Sequence, residues 1–428
     1  MGQFIVDGGY PLSGTITPQG NKNEALPILA AVTLTHKEVI IKNLPKILDV
    51  INMIKILESI GVKVKQLGDH EYSFQADEIS LIGLDVNLAK SLRGSFTLVG
   101  PLLTRFKTLE FPKPGGDKIG RRRIDTHLLA LKALGVQVEI TDDGYYFSHR
   151  NELKSNDILL DEASVTATEN VIMMSVFARG KIIIRNAASE PHVQQLCHFI
   201  NSIGGKISGI GSNILTVEGV YELSGGEHSI GADYLEVGSF ISLAAVTNSE
   251  ITIKDAGIEH LRMILNVFER LGIHTIKQGK DLLIPKNQSL KIVSDYHGAI
   301  TKIDDAPWPG LPADMTSIAL VTATQCIGTV LIFEKMFESR LFFVDKLINM
   351  GARIVLCDPH RAVVIGPSQL VSDELTSPDI RAGVALLIAA LCAKGRSVIH
   401  NIVQIDRGYE DIDSRLQSLG ARIERAAD

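Results

Sequence analysis

The sequence predicts an α/β protein of six repeated units, three to a domain, with apolar helices inside and sheets outside, and not a doubly wound sheet. Three observations carry this. An amphipathic helix that ends in an apolar residue plus glycine and runs into a strand recurs at Ile60-Gly61-Val62-Lys63-Val64, Leu134-Gly135-Val136-Gln137-Val138, Ile203-Gly204-Gly205-Lys206-Ile207, Leu271-Gly272-Ile273-His274-Thr275, Met350-Gly351-Ala352-Arg353-Ile354 and Leu419-Gly420-Ala421-Arg422-Ile423. These glycines stand 68 to 79 residues apart, above solenoid periods but suited to a small βα unit. Each unit also carries a helix that is hydrophobic on every face and so must be buried. Finally, 428 residues exceed what one core supports, which points to two domains.

Within a unit the elements follow one order. The apolar helices are expected at 25–35, 91–103, 168–178, 237–247, 315–324 and 380–393, rich in alanine and other apolar residues. Short β-branched strands follow at 39–41, 108–111, 181–184, 251–253, 329–332 and 397–399. A polar loop leads to the amphipathic helix, as with Val50, Met53, Ile54, Leu57 and Ile60 at helical spacing. The recurring glycine sits where a left-handed helix end belongs, and a hairpin completes the unit. The expected domains are residues 22–230, carrying a loop at 112–124, and residues 1–21 plus 231–428, with a substrate cleft between them. Leu223-Ser224-Gly225-Gly226-Glu227 reads as the linker, with a second crossing near Gly20-Asn21.

Composition narrows the function. With 45% hydrophobic and 21% charged residues and a net charge of -6, this is a globular chain without the broad basic face of a nucleic-acid binder. The start, Met-Gly-Gln-Phe-Ile-Val, lacks signal-peptide character, and the run Val384 to Ala393 is half of what a membrane helix needs, so a cytoplasmic protein with no membrane insertion is expected. Cys197, Cys326, Cys357 and Cys392 show no ligand spacing and read as reduced core residues. The histidines, His127 and His192 among them, show no paired spacing, and no Rossmann fingerprint or nucleophile elbow is present, so neither metal nor cofactor is expected.

Pro114-Gly115-Gly116-Asp117-Lys118-Ile119-Gly120-Arg121-Arg122-Arg123-Ile124-Asp125-Thr126-His127 concentrates the chemistry. Its glycines let backbone amides approach a ligand, and its cations suit phosphate or carboxylate. The alternative is a solvated basic helix start, but cations in a first helical turn oppose the macrodipole, which favours a bound anion. Asp117, an acid among bases, is either an ion-pair partner or a proton-transfer group. Lys22 opens an apolar helix in Gln19-Gly20-Asn21-Lys22-Asn23-Glu24, as a snorkelling cap or a ligand. Arg93 interrupts another, and burying it requires a partner. Arg340, Arg381 and Arg407 each have an acid nearby, Glu338, Asp379 and Asp406, that would serve as a local ion pair; the other reading is a clamp on anionic oxygens. Asp314 precedes a further apolar helix, as N-cap, general base or both.

The ordered motifs resemble the enolpyruvyl transferases along essentially the whole chain: Gly20 to Pro27, Pro45-Lys46-Ile47-Leu48-Asp49-Val50, the Gly115 to His127 loop, Asn186-Ala187-Ala188-Ser189-Glu190-Pro191, Pro312-Ala313-Asp314-Met315, Phe337-Glu338-Ser339-Arg340, Asp379-Ile380-Arg381-Ala382 and Asp406-Arg407-Gly408-Tyr409-Glu410. That resemblance implies two inside-out α/β barrels and transfer of the enolpyruvyl group of phosphoenolpyruvate, with UDP-N-acetylglucosamine as acceptor, no cofactor and no obligatory protein partner. It implies that Lys22, Arg122 and Arg407 hold the phosphate and stabilise developing charge, and that Arg340 and Arg381 lie near the carboxylate. By the same likeness Asn23, Arg93, Arg122, Arg123, Ile124, Asp125, Thr126, Ser164, Val165, Asp314 and Met336 contact the sugar nucleotide. Asp314 is then the general base, and Asp117 the proton donor on a lid. Three positions depart from the family pattern. Asp117 replaces the usual lid cysteine, Leu48 stands where lysine is common, and Asp161 to Thr166 is a looser version of the uridine-side segment. A carboxyl starts near pKa ~3.9 and a thiol near ~8.5, so the aspartate form should have a more acidic pH optimum and resist epoxides that alkylate the thiol. The alternatives are a shikimate-type acceptor on the same fold, or a non-catalytic sugar-nucleotide binder.

Overall fold

A computed structural model describes residues 2–427 apart from 117, 118, 121 and 150–152. The chain divides into two compact units. Residues 20–116 and 123–231 form one, here the N-terminal unit; residues 2–19 and 232–427, with 119, 120 and 122, form the C-terminal unit. The expected linker at 223–227 runs into a strand instead. Gly226–Ser229 pairs in parallel with Val39–Lys42, because β-augmentation of that sheet satisfies backbone groups that a free linker would leave to water.

Among the described residues the strands form six open sheets, three in each unit, and none closes on itself as a barrel. The layout is the mixed α/β arrangement that the repeat implies. One sheet shows the pattern: Gly328–Phe333 pairs in parallel with Thr301–Asp304 on one side and antiparallel with Arg361–Gly366 on the other, whose far edge is taken by Arg353–Asp358. Strand Gly2–Gly8 belongs to the C-terminal unit, between Gly395–His400 and Arg422–Ala427. Alternation does the sorting, as in Gly328–Phe333, where Val330 and Ile332 are buried.

The apolar helices lie within. In the C-terminal unit Tyr234–Val246, Thr316–Ala323 and Ile380–Cys392 pack on one another, and nearly every residue in them is buried. In the N-terminal unit Lys22–Ala31 packs on the 3-10 turn Arg93–Leu98, and Val165–Ser175 packs on that turn and on Val99–Arg105. The second apolar helix, expected as one run from 91 to 103, is broken. Val86–Ser91 ends, Leu92 is extended, and the chain restarts at Arg93. The break brings Gly94 against Leu26, where a Cβ would stand 2.6 Å from the leucine Cδ1, so a larger residue would require that side chain to move.

Each recurring glycine ends its amphipathic helix at positive φ: Gly61 at 95°, Gly135 at 91°, Gly204 at 107°, Gly272 at 82°, Gly351 at 100° and Gly420 at 94°. That is the left-handed stop the sequence pattern demands. Four apolar helices begin with a polar cap. Asn21, Ser164, Asp233 and Asp379 each accept from backbone N–H groups of the first turn, which places hydrogen-bonding side chains at the mouths of otherwise greasy helices. Among the described residues no helix is long and apolar enough to cross a membrane. Cys197 and Cys326 are buried and Cys392 nearly so, but Cys357 is exposed, since it lies on the outer face of strand Arg353–Asp358.

Candidate active site

In the C-terminal unit three helix mouths converge on one carboxylate. Asp314 sits in the 3-10 turn Ala313–Met315 that leads into Thr316–Ala323. Arg340 Nη2 donates to its Oδ1 at 2.9 Å and Arg381 Nε to its Oδ2 at 3.1 Å. The arginine side chains are 3% and 4% exposed. The helix that follows takes no side-chain cap, so the capping role considered for Asp314 is not what this geometry uses. Neither arginine takes its sequence neighbour as ion-pair partner. Asp379 instead accepts from the backbone N–H of Arg381 and Ala382, capping Ile380–Cys392, and this leaves the guanidinium to reach a partner 67 positions away.

Arg381 is fixed from behind. Its Nη1 donates to the Tyr409 hydroxyl at 2.9 Å, which shares a hydrogen bond of the same length with Ser239 Oγ. Its Nη2 is buried with no hydrogen-bond partner. Burial alone would lower the Arg381 pKa, but Tyr409, Asp314 and Asp233 outweigh it and hold the cation firmly. Arg340 lies over the Phe337 ring at 5.2 Å, with its Nε 3.8 Å from Glu334 Oε2. Glu334 Oε1 accepts from the Phe337 N–H at 3.1 Å, while Asp305 accepts from the N–H groups of Lys335 and Met336. These two buried acids clamp the loop that carries Met336 and Arg340. Burial, with Asp305 adding to it and Arg340 opposing, pushes Glu334 up to about 8.

The tail of the glycine-rich loop rests on the same loop. The Ile119 carbonyl accepts from Ser339 N–H at 3.2 Å, and Gly120, at φ 117°, lies where a Cβ would be 2.6 Å from Glu338 Oε2. Arg122 is half-buried in this unit. Arg407 is half-buried too; its Nη1 donates to Gln404 Oε1 at 3.0 Å, and its neighbour Asp406 pairs with Arg425. Met336 is exposed. Asp117, the candidate proton donor, lies outside the described residues, as do Lys118 and Arg121.

In the N-terminal unit the predicted residues gather in two places. Asn21 caps helix Lys22–Ala31, accepting from the N–H of Asn23 and Glu24, so Lys22 is freed from capping; its Nζ meets Asp49 Oδ2 at 3.3 Å. At the second place Arg123 bridges Asp125 (3.0 Å) and Asp161 (3.0 Å), and Thr126 Oγ1 donates to Asp161 Oδ1 at 2.7 Å. This joins the 123–126 stretch to the segment that leads into Ser164 and Val165, where Ser164 caps Val165–Ser175. Arg93, half-buried, donates from Nη2 to the Arg123 carbonyl at 3.0 Å, and Ile124 is half-buried between. Behind them His127 is buried, its ring nitrogens against Thr166 Oγ1 and Asn170 Nδ2. Burial, then the charge of Arg93, lowers its pKa to about 3, so it is neutral.

The protein-family model described as EPSP synthase (3-phosphoshikimate 1-carboxyvinyltransferase) matches residues 6–416. The chain belongs to that family. Within the EPSP synthase family it is 52% identical over 424 residues to the UDP-N-acetylglucosamine 1-carboxyvinyltransferase of Treponema denticola, covering 99% of each chain. It is 52% identical over 433 residues to the protein of the same name from Bacteroides fragilis, covering 99% of this chain and 100% of that one. In fold it resembles the enolpyruvyl transferase NikO of Streptomyces tendae, with a TM-score of 0.88 at 21% identity over 100% of this chain and 99% of that one. It also resembles the EPSP synthase of Acinetobacter baumannii, with a TM-score of 0.74 at 15% identity over the whole of both chains.

Sequence reasoning missed several residues that hold this family member's polar clusters together: Asp49 opposite Lys22, Asp161 opposite Arg123, Tyr409 behind Arg381, and the pair Asp305 and Glu334. Tyr409, Asp49 and Asp161 stood inside quoted segments, and that position was the available signal. Glu334 follows strand Gly328–Phe333 and carried no signal of its own.

Proposed function

We propose that the protein transfers the enolpyruvyl group of phosphoenolpyruvate to the 3-hydroxyl of UDP-N-acetylglucosamine, releasing phosphate, in the synthesis of peptidoglycan precursors. The observation that carries this is identity of about half with relatives of that name along almost the whole chain. Chemically, the sugar hydroxyl oxygen bonds to the central carbon of phosphoenolpyruvate while its proton passes to a base and an acid protonates the methylene carbon. The tetrahedral adduct then loses a proton from the new methyl group and expels phosphate, restoring the double bond. One base, one acid and several cations suffice, with no cofactor.

Asp314 is the base in this reading, with Arg340 and Arg381 on the substrate carboxylate and Lys22, Arg122 and Arg407 on its phosphate. Asn23, Arg93, Arg123, Ile124, Asp125, Thr126, Ser164, Val165 and Met336 hold the sugar nucleotide. Both substrates are water-soluble, which suits a cytoplasmic enzyme. Phosphate release on mixing phosphoenolpyruvate with UDP-N-acetylglucosamine is the test; release with shikimate 3-phosphate instead assigns the sister activity, and binding without release assigns a sugar-nucleotide sensor.

Asp117 is proposed as the acid. Replacing it, Asp117→Cys, should shift the pH optimum upward and create sensitivity to epoxides, because a thiol titrates roughly four units above a carboxyl. A variant with neither change would remove Asp117 from the proton-donor role.

A further inference from the structure

We propose that Asp314 is the resident anion of the site formed by Arg340 and Arg381, and that the substrate's carboxylate takes its place, freeing Asp314 to receive the hydroxyl proton. This rests on the reading above, which makes Asp314 the base.

As the structure holds it, both oxygens of Asp314 are engaged, Oδ1 accepting from Arg340 and Oδ2 from Arg381, so neither is turned to a substrate hydroxyl. The same pair of contacts shows which member can leave. The Asp314 side chain is 30% exposed against 3% and 4% for the arginines, so the acid, not the cations, is accessible to exchange.

The cations stay seated without it. Arg381 keeps its hydrogen bond to Tyr409, itself tied to Ser239, and stacks against the Tyr409 ring at 5.4 Å. Arg340 keeps the Phe337 ring and the neighbouring Glu334, which is itself anchored to the Phe337 N–H. The buried Arg381 Nη2 has no hydrogen-bond partner, so the site offers one donor more than Asp314 uses. Two buried guanidiniums left bare would be strongly unfavourable, whereas replacing one carboxylate by another keeps them compensated throughout. Exchange is therefore the low-barrier route, and it couples the arrival of the anionic substrate to the unmasking of the base. The coupling has a consequence for affinity. A ligand that must displace a resident competitor binds more weakly than the bare site would allow, by the fraction of time the site is free.

The experiment measures affinity rather than turnover. With UDP-N-acetylglucosamine held saturating, 2-phospholactate, the saturated and unreactive analogue of phosphoenolpyruvate, is titrated by calorimetry into wild type and Asp314→Asn. Isopropyl phosphate, which lacks the carboxylate, is titrated in parallel. Removing the resident anion should tighten 2-phospholactate about tenfold and leave isopropyl phosphate unchanged. Equal affinities of 2-phospholactate for the two proteins, or the same gain for both ligands, would overturn the proposal, the latter because it reports a general charge effect. Asp314→Ser must give the same ratio, so a poorly folded first variant decides nothing alone. Failure of wild type to release phosphate from the two natural substrates defeats the functional reading separately, since the titrations need no turnover.

Discussion

The two units use one repeat grammar but treat their clustered arginines in opposite ways. In the N-terminal unit Arg123 lies in the open, with 43% of its side chain exposed, and bridges Asp125 and Asp161; a pair that is largely buried there is a lysine's, Lys22 with Asp49. Two of its buried titratable groups are driven toward neutrality, His127 by a pKa lowered to about 3 and Glu169 by one raised well above its ordinary value, through burial and then Glu190. In the C-terminal unit the arginines themselves go inside, and Arg381 stays charged at 4% exposure because Tyr409, Asp314 and Asp233 surround it. Glu334 and Glu236 are acids there whose pKa burial pushes up. Exposed charges suit recognition of a large, hydrated, nucleotide-like ligand, since water screens each pair and lets partners exchange. Desolvated charges suit bond-making, where a preorganised cation is worth far more than in water.

The sharpest way to break this contrast is Arg381→Ala. Phosphate release should fall by about a thousandfold or more, the scale of removing a preorganised electrostatic contact. Stability should fall by about 3–5 kcal/mol as Asp314 and Tyr409 lose their buried partner. Arg381→Lys should recover the stability in part and the turnover hardly at all, because a single ammonium nitrogen does not reproduce the planar fork that reaches Asp314 through Nε and Tyr409 through Nη1. Near-wild-type release from either variant would mean that the buried cluster is structural.

His127 tests the other half. A base whose folded pKa lies near 3, below the unfolded value of 6.5, binds fewer protons in the folded state, so stability rises with pH across that interval. Its contribution is complete above about pH 6.5 and falls by about 1.4 kcal/mol per unit as pH drops toward 3. Urea unfolding of wild type and His127→Gln at pH 6.5 and pH 5 should show the difference between them change by about 2 kcal/mol. Parallel curves would mean that the ring is charged inside the unit.

Much of this organisation was legible because it is local. The Gly61 to Gly420 series announced helix ends, and all six adopt the left-handed conformation. All-apolar helices such as Tyr234–Val246 and Ile380–Cys392 declared their burial by composition alone. What failed was non-local. The helix expected at 91–103 breaks at Leu92, where Gly94 packs on Leu26 of another helix, and Gly226 enters a strand because it pairs with Val39–Lys42. For the arginines the sequence offered neighbouring acids, Asp379, Glu338 and Asp406, yet Asp379 is spent on a helix cap, Asp406 on Arg425, and Arg340 and Arg381 converge on Asp314. No spacing rule links residues 314, 340 and 381; only the packing of three helices brings them together.

Tyr409→Phe grades the buried cluster more finely. The phenol is fully buried, and burial, opposed by Arg381, raises its pKa, so it is a neutral acceptor for the guanidinium at any working pH. Removing its oxygen leaves Arg381 Nη1 and Ser239 Oγ short of a partner at nearly constant volume, a loss of about 1–3 kcal/mol measured by urea unfolding.

The smallest effect belongs to the exposed pairs. Asp161→Asn keeps an acceptor for Thr126 and removes one of the two charges on Arg123, so unfolding should change by less than about 1 kcal/mol, and raising the salt should erase even that. If these residues hold the sugar nucleotide, the loss instead appears as a higher KM for UDP-N-acetylglucosamine with kcat nearly intact, because a contact made equally in ground and transition states moves KM alone. A kcat that falls with KM unmoved would place the Arg123 cluster in the chemistry, and the contrast between an exposed recognising cluster and a buried reacting one would then be wrong.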